Sequence, residues 1–346
     1  MNTTELRQKL QQFPRIPFGS YPTPLQPLPN LTRQLGGPQL WIKRDDGIGP
    51  GMGGNKGRKL EFLMAEVLAQ RQRKVITFGG LQSNHARMTA AACAMLGLQA
   101  HLFFFGKRPS SLTGNLLLDT LFGAKLHFIP FSSGGEPSMT LETTNRLARL
   151  ISALMVGQSA YFMPVGGHTV TGCLGYVDAA LELHRQVDAL GLLMDKVVVV
   201  TAVGTGGTLA GLMAGFHLLD SPVRVLGIDV GKLWKSFPAS IAHLSGNLCT
   251  KLGQPHDFEV ADVPIIEKTY VGPGYSVFTA ASANAMRTLA RHEGVLLDPV
   301  YTGKAFAGLL DLVENGRFPL DHHLIFLHTG GFPGFWAYES HFYRKP

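Results

Sequence analysis

Residues 196–215 read KVVVVTAVGTGGTLAGLMAG, and this stretch decides the fold. A run of β-branched residues, typical of a buried strand, leads into a glycine loop and then into a helix of small residues. This order leaves unpaired backbone N–H groups at a helix N-terminus, where an anion binds favourably. The alternative is an ordinary tight turn whose glycines only relieve steric crowding. We predict that a phosphate binds the loop residues Gly204, Thr205, Gly206, Gly207 and Thr208.

The same alternation of short apolar runs and amphipathic segments continues along most of the chain, as in βαβ units around a parallel sheet. Predicted strands cover 39–45, 74–80, 100–106, 125–131, 196–204, 223–230 and 323–329. Predicted helices include 57–71, 83–97, 137–156, 172–190, 206–219, 276–293 and 303–314. The pattern predicts an α/β fold of mostly parallel sheets flanked by helices, and 346 residues favour two lobes with a ligand cleft between them.

Composition narrows the class of protein. With 45% apolar and 16% charged residues the chain is globular, and it has no run of about 18 apolar residues. The first residues lack the apolar segment of a signal peptide, so we expect a cytoplasmic protein with no membrane partner. The three cysteines Cys93, Cys173 and Cys249 lack metal-binding spacing, so we expect reduced core thiols and no metal. A net charge of +7 alone suggests nucleic acid, but no basic helix or zinc finger supports such a partner.

A lysine stands in a second glycine-rich turn, GMGGNKGRKLEFLMAEVL at residues 51–68. The turn is not a P-loop, because Gly57 rather than Ser or Thr follows Lys56. If the GTGGT loop binds the phosphate, Lys56 is free to form a Schiff base with an aldehyde, as in pyridoxal phosphate. Lys59, one helical turn on, would add a charge at the phosphate. Taken alone, a lysine in this position is more often a solvated residue at a helix start.

A third helix start, within residues 79–97, presents four consecutive polar side chains: Gln82, Ser83, Asn84 and His85. Together they suit a substrate carboxylate, although Ser83 could serve only as a helix cap. Two further segments each read as an ordinary turn when taken alone: LLDPVYTGKAFAGLL at 296–310 and HTGGFPGF at 328–335. Five glycine-marked turns at the ends of strands indicate one crevice at the edge of a parallel sheet.

A nucleotide-binding oxidoreductase is the alternative from another class of enzyme. GTGGTLAG departs from the GxGxxG pattern because its third glycine comes one residue late. Asp229 on the next predicted strand is the acidic residue that keeps a dinucleotide site possible.

Nine motifs occur in a fixed order along nearly the whole chain: FPRIPFGSYPTPLQPLPNL, WIKRDD, MGGNKGRKLEFL, QSNHARMTAA, PVGGHTVTGCLGYVDAALEL, VGTGGTLAG, GPGYSV, LLDPVYTGKA and HTGGFP. In this order they resemble fold-type II pyridoxal phosphate enzymes of the 1-aminocyclopropane-1-carboxylate deaminase and D-cysteine desulfhydrase family. The resemblance implies a fold similar to the tryptophan synthase β subunit, with a large lobe from residues 1–59 and 173–346 and a small lobe from 60–172. It also implies a cofactor in the cleft and a homodimer.

The resemblance also implies roles for individual residues. Lys56 becomes the Schiff-base lysine, Asn84 the partner of the ring hydroxyl, and Lys59 with the GTGGT backbone the phosphate site. Thr302 would face the pyridine nitrogen. Tyr275 and Tyr301 would lie near the reacting carbons and join Lys56 and Ser83 as catalytic residues. The implied substrate contacts are Gln82, Ser83, Asn84, His85, Gly167 and Thr329.

Two threonines decide the expected reaction. Family deaminases have a glutamate at the position of Thr302 and a leucine at that of Thr329. A carboxylate at the ring nitrogen strengthens the electron sink that ring opening requires, whereas a hydroxyl suffices for loss of a good β-leaving group. We therefore expect α,β-elimination from D-cysteine to pyruvate, ammonia and hydrogen sulfide, with the deaminase as the alternative. Phe278 and His168 replace the usual proline and serine, which leaves open another β-substituted amino acid such as L-cysteate.

Overall fold

Two separate sheets organise the chain. The computed structural model describes residues 1–130, 138–157, 159–267 and 269–343. The strands are β1 Leu25–Pro27, β2 Gln39–Lys43, β3 Lys74–Gly80, β4 Gln99–Phe105, β5 Lys125–Ile129, β6 Tyr161–Phe162, β7 Val197–Val203, β8 Arg224–Asp229, β9 Ile265–Ile266 and β10 His323–Leu327. The α-helices are α1 Thr3–Gln11, α2 Pro29–Leu35, α3 Lys56–Ala69, α4 Asn84–Met95, α5 Asn115–Leu121, α6 Leu141–Val156, α7 Val170–Ala189, α8 Gly207–Leu218, α9 Phe237–Lys251, α10 Ala280–Glu293 and α11 Thr302–Glu314.

The larger sheet has the strand order β1-β2-β10-β7-β8-β9, and every neighbouring pair is parallel except β1 with β2. Strand β7 is buried along its whole length because helices cover both faces. Val199 packs with α7, α8 and α9 on one face, and Val200 packs with α10 and α11 on the other. Successive side chains of a strand point to opposite faces, so the VVVV run supplies both cores.

The smaller sheet has the order β5-β4-β3-β6, and all its pairs are parallel. Helices α3 and α4 contribute to the core on one face, and α6 to the core on the other. Phe78 of β3 stacks on Phe103 of β4 with ring centroids 4.7 Å apart, while Phe104 turns to the opposite core. The strands of this sheet lie between residues 74 and 162. The lobe boundaries at 59/60 and 172/173 stay a prediction.

All seven predicted strands and all seven predicted helices are present, with bounds that differ by up to four residues. Residues 131 and 137, at the ends of a predicted strand and a predicted helix, lie outside the described residues. Helix α9 was not among the predicted helices, since FPASIAHLSGNLCTK contains glycine, serine and asparagine, which are poor helix formers. Its burial against α8 stabilises it instead. Across the described residues, no helix is long and apolar enough to cross a membrane.

A buried charge network sets the rotation of α3, the helix that begins at Lys56. Arg58 is fully buried and donates to both carboxylate oxygens of Asp45, at 2.8 and 2.9 Å, and to Glu182. Helix α7 crosses closely here, since a Cβ on Gly175 would lie only 2.2 Å from the Arg58 carbonyl oxygen. Consecutive residues of an α-helix are about 100° apart around its axis. With Arg58 fixed toward Asp45, Lys56 and Lys59 therefore face another side of the helix.

Candidate active site

A cavity of about 1220 Å³ collects the turns that follow strands of both sheets. The predicted site residues in its wall are Lys56, Gln82, Ser83, Asn84, His85, Gly204, Thr205, Gly206, Gly207, Thr208, Tyr275, Tyr301 and Thr329. Lys59, Gly167 and Thr302 do not line the cavity. Lys59 nevertheless adjoins its wall, because a Cβ on Gly207 would lie 2.5 Å from the Lys59 ammonium nitrogen. The structure thus brings together side chains that lie up to 273 residues apart in sequence, from Lys56 to Thr329.

Lys56 is the first residue of α3, and the preceding turn is tied down on two sides. The Asn55 amide nitrogen donates to Thr208 Oγ1 at 3.0 Å, and the Asn55 backbone N–H donates to the Thr329 carbonyl at 3.0 Å. Gly53 has φ 70°, and a Cβ there would lie 2.3 Å from the Asp46 carbonyl oxygen, so the turn requires glycine. The Lys56 amine is therefore aimed by contacts with the phosphate loop and with the HTGGFP turn.

Loss of solvation and, second, the neighbouring Lys59 ammonium lower the pKa of Lys56 well below that of a free lysine. A neutral amine has a free lone pair, so Lys56 can act as a nucleophile toward an aldehyde or as a base. This is the chemistry that the sequence predicted for Lys56.

The loop after β7 forms an anion cradle. Gly206 has φ 80° and cannot cap α8 through a side chain, and within the described residues no side chain accepts from the first N–H groups of this helix. Lys59 is fully buried, and its ammonium donates to the Gly166 carbonyl at 3.2 Å. A Cβ on Gly207 would lie 2.5 Å from Lys59 Nζ and 2.8 Å from Cys173 Sγ. Free backbone donors beside a buried ammonium suit a phosphate.

The start of α4 offers hydrogen-bond donors to a ligand. Ser83 Oγ caps the helix by accepting from the Ala86 N–H at 3.2 Å, which leaves the Ser83 hydroxyl proton free to donate. Asn84 Oδ1 accepts from Asn115 Nδ2 at 2.9 Å, so the Asn84 amide nitrogen remains as a donor. Gln82 is engaged with the backbone of Thr113 and Asn115, and it therefore shapes the cavity wall.

His85 has a defined tautomer. Its Nε2 lies 3.1 Å from Thr77 Oγ1, and the Thr77 hydroxyl proton goes to the Met163 carbonyl at 2.9 Å. The network therefore assigns the proton to His85 Nε2 and leaves a buried lone pair on Nδ1 without a partner among the described residues. Burial, followed by Lys56 and Lys59, lowers the pKa of His85 well below its ordinary value. His85 can therefore accept a hydrogen bond from a ligand. Because its ring is neutral, it offers no positive charge to pair with a carboxylate.

Two tyrosines meet across the cavity. The Tyr275 and Tyr301 hydroxyls hydrogen-bond to each other, and their rings meet edge to face with centroids 5.9 Å apart. Burial raises the pKa of both phenols. Both are neutral at physiological pH and therefore act as proton donors rather than as bases.

Asp298 fixes Tyr301 and engages Thr302. Its carboxylate accepts from the backbone N–H groups of Val300, Tyr301 and Thr302 at 2.9 Å each. The Thr302 hydroxyl donates to Asp298 Oδ1 at 2.7 Å and is fully buried. Thr302 thus lies behind the cavity wall, and the role predicted for it at the pyridine nitrogen stays a prediction.

Several residues that shape the site were not predicted. Asp298 had a local signal, because an Asp-Pro pair before a helix start is typical of a capping turn. Trp234, whose indole N–H donates to the Gly204 carbonyl at 3.0 Å, and Asn115 had none, because their contacts span loops distant in sequence. Asp229, the candidate acidic residue of a dinucleotide site, instead accepts from the backbone N–H groups of Gly231 and Lys232.

Comparison with known proteins identifies the family. A family model described as "Pyridoxal-phosphate dependent enzyme" matches residues 16–330. The chain belongs to this family. Its cofactor is therefore pyridoxal phosphate, as the resemblance implied, and the nucleotide-binding alternative loses its support.

Relatives of this pyridoxal phosphate enzyme are similar over nearly their whole length. The chain is 40% identical to D-cysteine desulfhydrase of Salmonella typhimurium over 339 residues, covering 96% of this chain and 98% of the relative. It is 39% identical, with the same coverage, to that of Salmonella schwarzengrund. A solved ACC deaminase homologue superposes with TM-score 0.84 at 35% identity, covering 97% of this chain and 98% of that one.

A fungal L-serine ammonia-lyase from Rhizomucor miehei superposes with TM-score 0.61 at 18% identity, covering 89% of this chain and 93% of that one, and shares the fold. The predicted α/β, fold-type II architecture is confirmed. The groups in the cavity also fit the cofactor of the family. The α8 cradle suits its phosphate, the Lys56 amine suits its aldehyde, and the Asn84 amide nitrogen suits its ring hydroxyl.

Proposed function

We propose that this chain is a lyase that catalyses α,β-elimination from D-cysteine, releasing pyruvate, ammonia and hydrogen sulfide. The observation that carries the proposal is the 40% identity to a D-cysteine desulfhydrase over 96% of the chain. The cavity supports it, because a lysine of lowered pKa, a set of donors at a helix start and a pair of neutral tyrosines converge there. We also propose a homodimer, as the resemblance implies, and a cytoplasmic location.

The residues proposed to hold pyridoxal phosphate follow from the donor set. Lys59 and the backbone of Gly204–Thr208 would hold the phosphate, the Asn84 amide nitrogen would donate to the ring hydroxyl, and the Lys56 amine would face the aldehyde. Bound pyridoxal phosphate supplies an aldehyde that condenses with amines and a conjugated ring that takes up an electron pair. Every other task falls to side chains of this chain.

Substrate orientation is assigned to the start of α4. Its N-terminal N–H groups and the Ser83 hydroxyl donate to the carboxylate, which the helix dipole also favours. The lone pair of His85 Nδ1 accepts from a substrate N–H. These contacts hold the substrate at one end while its β-carbon points toward the tyrosines.

The base and the leaving-group partner are different residues. The lowered pKa of Lys56 favours its uncharged amine, so Lys56 Nζ takes the proton from the substrate α-carbon. The linked hydroxyls of Tyr275 and Tyr301 donate a hydrogen bond to the leaving sulfur, which departs as hydrosulfide. A raised phenol pKa keeps these hydroxyls protonated, so they are present as donors when negative charge develops on the sulfur.

The test is an absorbance spectrum of the purified protein loaded with pyridoxal phosphate, wild type beside Lys56→Ala, followed by addition of single amino acids. We expect a visible band in the wild type that the variant lacks. Pyruvate and sulfide should form together from D-cysteine and from neither L-cysteine nor L-cysteate.

Three results would contradict the proposal. Formation of 2-oxobutanoate from 1-aminocyclopropane-1-carboxylate, without sulfide from D-cysteine, would favour the deaminase. Pyruvate from L-cysteate would indicate another β-substituted substrate. A protein that stays colourless with pyridoxal phosphate would remove the basis of the mechanism.

A further inference from the structure

Lys304 is a buried lysine that the mechanism does not use. It lies on α11, one helical turn after Tyr301, and its side chain is 1% exposed. Its ammonium donates to two backbone carbonyls, those of Val271 at 2.7 Å and Gly274 at 2.8 Å. Burying an ammonium is costly, so a lysine here needs a task that an apolar residue of similar length could not perform.

Both carbonyls belong to residues 271–276, a loop in the cavity wall that ends in Tyr275 and Ser276. The loop has an irregular backbone, with φ 69° at Gly272 and φ 61° at Ser276. Residues other than glycine rarely adopt such a positive φ, so outside contacts must hold Ser276 in place. Within the described part of the chain, Tyr338 supplies one such contact by donating to the Ser276 carbonyl at 2.7 Å. Lys304 supplies two more on the other side of Tyr275.

We propose that Lys304 is a positioning residue that ties the loop 271–276 to the start of α11 and thereby holds the Tyr275 hydroxyl against Tyr301. The tyrosine contact joins the same two elements, loop and helix start, that the ammonium joins. Without the ammonium, the loop would lose two hydrogen bonds to α11 and would keep those of Tyr275 with Tyr301 and of Ser276 with Tyr338. The catalytic consequence rests on the role proposed above for the tyrosine pair, whereas the positional consequence does not.

The first experiment reads the position of Tyr275 without any substrate. Protein labelled with 3-fluorotyrosine gives one fluorine resonance for each tyrosine, and Tyr275→Phe and Tyr301→Phe assign the two of interest. We expect Lys304→Met, which keeps the length of the side chain but removes its donors, to shift or broaden both resonances. Lys196→Met is the control, because Lys196 pairs with Asp321 at the protein surface.

The second experiment is a double-mutant cycle on the loaded enzyme. In the wild-type background we expect Lys304→Met to lower kcat by about 10- to 100-fold, since a small misplacement of a catalytic group has an effect of that size. In a Tyr275→Phe background the same change should cost less than about 3-fold, because the group that Lys304 positions is already absent.

Unchanged fluorine resonances in Lys304→Met would overturn the proposal, and so would additive losses of kcat in the cycle. If Lys304→Met fails to fold, Lys304→Leu is measured instead, since its shorter apolar side chain also lacks donors, and an unaltered Tyr275 resonance there has the same meaning. The fluorine measurement needs neither D-cysteine nor turnover. A failure of the proposed reaction therefore leaves this test intact.

Discussion

Lys59 offers a prediction in which stability and ligand binding change in opposite directions. Its side chain is fully buried, and its ammonium donates to the Gly166 carbonyl at 3.2 Å. Burial lowers the pKa of Lys59, although the neighbouring Cys173 raises it in part. A lysine that is charged when unfolded and loses solvation when folded weakens the fold at neutral pH. We therefore replace Lys59 by methionine, which keeps the length of the side chain but not its charge.

The size of the effect of Lys59→Met differs between the protein without cofactor and the protein with phosphate bound. In the protein without cofactor, removal of a poorly satisfied buried ammonium should stabilise the fold by about 1 to 2 kcal/mol. A Tm increase of roughly 1.5 to 3 °C corresponds to that gain for a chain of 346 residues. When phosphate is bound, the same change removes a charge-assisted hydrogen bond of about 1.5 to 3 kcal/mol. The Kd for a phosphorylated ligand should then rise roughly 10- to 150-fold.

The assay uses pyridoxamine 5'-phosphate and pyridoxamine, because neither can react covalently with Lys56. Calorimetric titration gives Kd for both ligands, and thermal unfolding without ligand gives Tm. Only the phosphorylated ligand should lose affinity in Lys59→Met. Lys196→Met serves as the control, since Lys196 is one-third exposed and pairs with Asp321.

A lower Tm for Lys59→Met without ligand, combined with an unchanged Kd for pyridoxamine 5'-phosphate, would refute the reasoning. In that case Lys59 would be a structural lysine and the phosphate would lie elsewhere. Equal losses of affinity for both ligands would show that Lys59 contacts the ring or shapes the whole cavity.

Two further predictions concern Lys56 and the packing of α3. Because the pKa of Lys56 is lowered well below its ordinary value, the rate of covalent pyridoxal phosphate binding should rise much less than tenfold per pH unit between about pH 7 and pH 9, as read by stopped-flow absorbance. A tenfold rise per pH unit would indicate an ordinary charged lysine. Gly175→Ala should destabilise the protein by about 2 to 3 kcal/mol in urea unfolding, since its Cβ would lie 2.2 Å from the Arg58 carbonyl oxygen. Gly47→Ala is the matched control, because a Cβ at Gly47 would have no atom within 4 Å. It should leave the urea midpoint of unfolding almost unchanged.

Local patterns in the sequence were enough to predict the longer strands of both sheets. The continuous run of β-branched residues in β7 predicts a strand covered on both faces, and the structure places helices on both. Helix α9 was not predicted because its residues have weak helix preferences. The strands β1, β6 and β9 were not predicted because runs of two or three residues carry too little pattern. The motifs also indicated the family and the cofactor, since each of them is a turn with its own backbone requirement.

The division of tasks within the site required the tertiary structure. From sequence alone Gln82, Ser83, Asn84 and His85 formed one group of polar residues at a helix start. In the structure Gln82 bonds to the Asn115 turn, Ser83 caps α4, and Asn84 is oriented by Asn115. His85 becomes an acceptor because Thr77 has already given its proton to Met163. Hydrogen-bond partners distant in sequence decide which atom of each side chain remains for a ligand.

The sequence by itself determined where strands, glycine turns and helices lie and which turns carry Lys56, the GTGGT loop and Tyr301, because backbone preferences and hydrophobic periodicity act over a few residues. Only the tertiary structure decided that Lys56 lies beside Lys59 in a poorly solvated cavity, that Asp298 engages Thr302, and that Lys304 holds the Tyr275 loop. Charge, burial and proton positions depend on groups that folding brings together from distant parts of the chain.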